Sequence, residues 1–268
     1  MTELTPHELT PLDVAHAAME AAAQDDSARL RFYERLADGE LFMLLEEESA
    51  GDQIKPRIFP VAGDEYVLVF DREDRLAEFV GASAPYVALS GRLIADMLAG
   101  QGFGLGVNLG VAPSEILIPA PAVSWLADTL GNKPEQVEAR PVEATAPRGL
   151  PERLLLALDG KLALAGGLAR FAWLSGITYD DGRRGHMLAF VDEMPGARDT
   201  LAGLVSEALT FSGIDAGQLD VGFFTASDPI CAALAKVGLR FDLPEQPEAE
   251  NTAPAAPGMD PSKPPVLR

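Results

Sequence analysis

The fold is decided by the stretch from Gly100 to Trp125, GQGFGLGVNLGVAPSEILIPAPAVSW. Gly102, Gly104, Gly106 and Gly110 surround Asn108 in an otherwise apolar run, and a short apolar segment, Ile116 to Ile118, follows. Two prolines then lead into a helix-like segment through Trp125 and Leu130. Glycine where a strand should be dense with side chains marks a bulge or a close backbone approach. The stretch therefore reads as strand, tight turn, strand and helix. Asn108 is expected in the turn, because Asn tolerates left-handed backbone. Contact with a ligand is its alternative role.

Outward from this stretch, the N-terminal side alternates short helices and strands. Thr10 can cap a helix, Pro11 suits its first position, and Asp13 lies three residues after the cap. Asp25 to Ser27 break that helix and open a second, with Leu30, Tyr33, Leu36 and Ala37 at helical spacing and a stop at Gly39. Leu41 to Leu45 reads as a buried strand, and Glu46 to Gly51 as an acidic turn. Arg57 to Val61 and Tyr66 to Phe70 form two strands around Gly63-Asp64. Asp71 is expected to cap a helix through Phe79. A short strand, Tyr86 to Leu89, and a helix opened by Ser90 complete this side.

On the C-terminal side the composition changes between Asn132 and Pro151, where four prolines alternate with charged and small residues. This reads as an extended linker. Beyond it come a helix from Glu152, a strand from Phe171 to Tyr179, a polar turn and a returning strand, His186 to Val191. A helix, Arg198 to Phe211, a strand, Leu219 to Phe224, a helix opened by Asp228 and Pro229, and a strand, Leu239 to Leu243, follow. Trp125 and Trp173 are expected to anchor the cores. The expected architecture is α/β (α+β): two mixed α/β domains over 12–131 and 150–243, joined by a Pro-rich linker. A disordered acidic tail over 244–268 follows.

The bulk numbers exclude several functions. With 47% hydrophobic residues in 268, the chain can build sizeable cores. A net charge of −20 opposes non-specific nucleic-acid binding, which needs Lys and Arg to neutralise phosphates. It equally opposes docking on anionic membranes. With one cysteine, Cys231, neither an internal disulfide nor a Cys-based zinc site can form, which fits a reducing compartment. The first residues, MTELTPHELTPLD, have neither the basic region nor the apolar core of a signal peptide. The expectation is a cytoplasmic protein that binds neither nucleic acid nor membrane.

Motifs that carry chemistry do not close. From Gly104 the third glycine of G-x-G-x-x-G falls on Leu109, and the phosphate-loop lysine is absent. Cys231 lies near a helix N-terminus, but nothing in the spacing links it to His7, His16 or His186 as a base. His186 and Asp192 share a strand face about 20 Å apart, too far to share a metal ion. No cofactor, metal or catalytic residue is expected. The candidates for interaction are Asn108, the Arg183-Arg184 pair in the one basic loop, and Thr225 and Ser227 in a strand-to-helix turn of the kind where α/β sheets place ligands.

The ordered motifs Phe32-Tyr33-Glu34-Arg35-Leu36, Leu41-Phe42-Met43-Leu44, Phe59-Pro60, Tyr86-Val87-Ala88-Leu89-Ser90-Gly91-Arg92, Gly104-Leu105-Gly106-Val107-Asn108-Leu109-Gly110 and Gly238-Leu239-Arg240-Phe241 resemble the bacterial SseB family, the enhanced serine sensitivity proteins. The resemblance implies an N-terminal SseB domain over about 12–130 and a C-terminal one over about 150–243. Where the family tends to have Asn-Pro-Gly, this chain has Asn108-Leu109-Gly110. The resemblance implies a link to serine but no established reaction. The reading is a non-catalytic binding or regulatory protein with an unidentified protein partner. The alternatives are a sensor holding an amino acid or nucleotide between the domains or at the Thr225 turn, and an enzyme of unrecognised type.

Overall fold

The computed structural model describes residues 9–48, 54–131, 140–214 and 219–244. Residues 245–268 of the expected tail, the end of the acidic turn and residues 132–139 of the expected linker lie outside these residues, whereas Pro244, read as the first residue of the tail, accepts at its carbonyl from the Gly167 N–H at 2.9 Å.

The first unit opens on α1 (Pro11–Ala21), held by a reciprocal cap. The Asp13 N–H donates to the Thr10 hydroxyl, and the Thr10 N–H donates to the Asp13 carboxylate. Asp25 caps α2 (Asp26–Asp38), which stops at Gly39. There follow β1 (Glu40–Leu44), β2 (Ile58–Val61), β3 (Asp64–Phe70), α3 (Glu73–Val80), β4 (Tyr86–Ser90), α4 (Gly91–Leu98), β5 (Gly104–Val107), β6 (Ile116–Ile118) and α5 (Ala120–Gly131). The sheet order is β4-β1-β3-β5-β6, with β2 also on β3. Only the β3–β5 pairing is parallel. Alternation along the strands sorts the faces. Leu41, Met43, Val67, Val69, Leu105 and Val107 pack with α1, α2, α4 and α5, whereas Leu44, Leu68 and Phe70 pack with Leu76 of α3.

The glycine-rich stretch behaves as read. A Cβ on Gly104 would lie 2.6 Å from the Ile118 carbonyl oxygen and from the Tyr66 ring. On Gly106 it would meet the Leu68 side chain at 2.6 Å. The bare strand is what lets those side chains lie across it. Asn108 turns the chain at φ 49°. Asp71, in contrast, does not cap α3. The helix starts after Arg72, which makes no side-chain cap bond. The Asp71 carboxylate instead accepts from Arg75 and Thr10, since a charged donor holds a carboxylate more strongly than a backbone N–H does.

The second unit contains β7 (Pro141–Thr145), α6 (Glu152–Ala163), β8 (Phe171–Tyr179), β9 (Arg184–Val191), α7 (Arg198–Phe211), β10 (Leu219–Phe224), α8 (Pro229–Val237) and β11 (Leu239–Asp242). Its order is β10-β9-β8-β11, with β7 also on β8. The β9–β10 pair is parallel across α7, and the other pairs are antiparallel. Leu174, Leu188 and Phe190 pack with α6 and α7. Met187 and Ala189 pack with Leu234 of α8 on the other face.

Two expectations change here. The stretch read as a linker contributes β7, so the second sheet begins at Pro141. Proline is tolerated as the first residue of a strand. The exposed Val142 and Glu143 also deprive this strand of the apolar alternation that would reveal it. Trp125 is 39% exposed, resting edge-on against Tyr33 rather than anchoring a core. Trp173 does pack, edge-on to Phe171 and against the cluster of Phe171, Val191 and Cys231.

The units are joined through helices. Phe211, at the end of α7, is 2% exposed and lies in the core of the first unit. No described helix is long and apolar enough to cross a membrane.

Glycine substitutions separate the packing constraint from the propensity constraint. A Cβ on Gly91 would lie 1.8 Å from the Leu36 carbonyl oxygen, whereas Gly160, exposed on α6, has nothing within 4 Å. Gly91→Ala is expected to lower unfolding free energy by about 2–3 kcal/mol. Gly160→Ala should raise it by about 0.5–1 kcal/mol. Urea denaturation midpoints of the two variants check both signs.

Candidate functional site

Asn108 sits at the centre of a buried polar network. Its own N–H donates to the Val69 carbonyl at 3.0 Å. Its side-chain oxygen accepts from the Asp71 N–H at 3.1 Å, and its amide donates to the Ser114 hydroxyl at 2.8 Å. Ser114 donates onward to Asp13. Arg75, with its side chain 2% exposed, pairs with Asp13 and Asp71 together. Burial pushes the Asp13 carboxyl up, but hydrogen bonds from Arg75, Ser114 and Thr10 outweigh it and hold the carboxyl at about 2. The network ties α1, α3 and the β5–β6 loop together. Asn108 is fully buried within it.

The β8–β9 hairpin carries Arg183 and Arg184. Arg183 donates to Asp181 at 2.7 Å and lies 5.0 Å from the centre of the Tyr179 ring. Asp181 is lowered by the Arg183 hydrogen bond. Tyr179 donates to Asp220 at 2.6 Å, and burial raises its hydroxyl well above the ordinary tyrosine range. Arg184 is exposed where β9 begins, opposite Thr178. With Asp180, Asp181 and Asp220 beside the two arginines, the hairpin is slightly acidic rather than basic.

At the Thr225 turn the donors are already used. The Thr225 N–H donates to Asp228 at 2.7 Å and the Ala226 N–H to Asp192 at 2.9 Å. The Thr225 and Ser227 hydroxyls lie 3.0 Å apart. Asp228 stands at the α8 cap position but makes no bond into the helix, because its carboxylate closes the preceding turn. The buried Cys231 thiol donates to the Thr225 carbonyl at 3.3 Å. Burial raises its pKa, and Asp228 and Asp192 add to that. His186 contacts the Arg148 carbonyl through Nε2 at 3.0 Å. Among the described residues no group of three His, Cys, Asp or Glu could hold a metal.

The densest charge cluster lies between the units. Lys161 of α6, 2% exposed, reaches Asp38 of α2 at 2.6 Å and Glu207 of α7 at 2.9 Å. Arg92 of α4 forks onto Glu207 at 2.7 and 2.9 Å and reaches Asp38 at 3.0 Å. Glu34 stands 3.7 Å from Lys161. Burial pushes Glu207 up, but Arg92 and Lys161 outweigh it and leave its carboxyl below the usual range. These side chains occupy the contact between α2, α4, α6 and α7. The sequence did carry a signal for this cluster. Lys161 falls on the apolar stripe of Leu154, Leu158 and Leu162, where an unpaired lysine would be untenable.

Residues 16–125 match the family model for the SseB protein N-terminal domain. That segment runs from within α1 to within α5 and takes in the whole first sheet. Nothing among curated proteins or solved structures matches the chain.

The Asp13–Arg75 pair has a definite pH signature. The folded carboxyl titrates at about 2, below the unfolded 3.8. Its stabilisation is complete above the unfolded value and is lost as pH falls through the folded one. Asp13→Asn should lower stability at pH 7 by about 2–4 kcal/mol, since it leaves Arg75 buried and partly unpaired. Acid titration of unfolding should show a smaller loss between the two pKa values in the variant than in the wild type.

Proposed function

We propose, from the match of residues 16–125 to the SseB protein N-terminal domain, that the chain acts by binding, as a non-catalytic regulatory protein with a protein partner. Its sphere is amino-acid metabolism, in line with the serine link that the family resemblance implies. The observation that carries this reading is how the reactive side chains are used. Cys231 is buried with its pKa raised, His186 is bonded to a carbonyl, Asn108 is sealed in its network, and the Thr225 turn is closed by the chain's own carboxylates. Nucleophilic catalysis needs a thiolate or hydroxyl beside a free base. These groups instead hold the fold together and leave the surface to do the work. Within the Arg183-Arg184 hairpin Arg183 is held by Asp181, so the exposed Arg184 is the proposed contact for a carboxylate of the partner.

The sensor reading has one concrete place. An open cleft of about 260 Å³ is walled by Asp64, Glu65, Tyr66, Gly102, Gly104 and Pro119 to Pro121. Its two carboxylates suit an ammonium group.

A thermal-shift panel of serine, other amino acids and nucleotides separates the two readings. Ligand at a hundredfold excess over its Kd adds about 2.7 kcal/mol, a shift of several degrees. The binding reading expects silence, together with loss of partner capture when Arg183 and Arg184 are changed to Glu. A selective shift with an amino acid, abolished by Glu65→Gln, would move the function to sensing. Turnover that depends on Cys231 or His186 would end both readings.

A further inference from the structure

Between the two units, two cations meet three carboxylates. Asp38 and Glu207 each bond to both Lys161 and Arg92, forming a closed, neutral set of four. Glu34 is the fifth member. It approaches Lys161 only at 3.7 Å, beyond hydrogen-bond length, and its side chain is 13% exposed. We propose that Glu34 is the surplus charge of this joint and that protonating it tightens the contact between the two units.

The groups facing Glu34 support this. On its own helix stand Asp38, which repels it, and Arg31 and Arg35, which are exposed and screened by water. From α6 comes Lys161, already shared between Asp38 and Glu207. Arg92 of α4 is committed to those same two carboxylates. Burial raises the Glu34 carboxyl, and Asp38 reinforces this against the opposing pull of Lys161, Arg35 and Arg31. A group whose folded pKa is raised favours the folded joint when protonated, and that contribution is lost as pH rises through the folded pKa. Glu207 has the opposite sign: its contribution is lost on acidification. The joint is therefore tightest between the Glu207 and Glu34 titrations.

The test uses the full chain, with thermal melts from pH 7 to pH 5 and hydrogen exchange at pH 7. Glu34→Gln should raise the Tm at pH 7 by about 2 °C and slow amide exchange in α2, α6 and α7. The wild-type Tm should climb towards that of the variant on acidification, while the variant stays level. Asp38→Asn, which opens the neutral set, should lower the Tm and speed the same exchange. A lower Tm or faster exchange in Glu34→Gln overturns the proposal. So does a parallel pH response of the two proteins, or an Asp38→Asn variant as stable as the wild type.

Discussion

A buried ammonium must be compensated where it lies, and Lys161 is compensated where the helices of the two units meet. Its partners come from α2 of the first unit and α7 of its own unit, and Arg92 of α4 closes the ring. Beside it the Phe211 ring enters the first unit's core and lies 5.5 Å from the Lys161 nitrogen. These interactions divide the work. The ring supplies apolar burial, which has no preferred direction. The charge set supplies geometry, since a buried ion pair adds little net stability but is costly to misalign. Moving one unit against the other would break these ion pairs, so the charge set favours the relative placement in which all four groups meet.

The interior of the first unit obeys a related rule. Gly104 and Gly106 give up side chains so that Tyr66 and Leu68 can lie against the β5 backbone. The strand therefore ends in a turn that cannot be anchored by apolar packing alone. Asn108 takes the left-handed conformation there and meets four partners, Val69, Asp71, Val111 and Ser114, with its backbone and side chain. Through Ser114 and Asp13 the same network reaches Arg75. One arginine thus fixes where α1, α3 and the β5–β6 turn sit relative to one another.

Much of this was legible in the sequence. The caps of α1, α2 and α4 are local hydrogen-bond patterns written in neighbouring residues, and each formed as read. The strands Phe171 to Tyr179 and Leu219 to Phe224 carry dense apolar runs and were placed to the residue. What failed was decided at long range. Asp71 could be read as a cap because Arg75, its competing partner, is buried only by tertiary packing. β7 was hidden because an exposed edge strand needs no alternation. The interface cluster draws on residues 34, 38, 92, 161 and 207. No local pattern joins these positions, although Lys161 among leucines marked one of them.

The same accounting bears on what the surface can do. Against 41 acidic residues the chain has 21 Lys and Arg. Several of these cations are tied down: Arg75 and Lys161 inside, Arg92 at the contact between the units, and Lys55, Arg72, Arg198 and Arg240 at the surface. The field outside is therefore acidic and repels other polyanions, nucleic acid and anionic lipid included. An acidic partner segment could approach only where a cation escapes that field, within a Debye length of about 8 Å at physiological salt. Arg184, exposed on a protruding hairpin beside the half-neutralised Arg183, meets that condition. A contact of that kind is short-ranged and salt-sensitive.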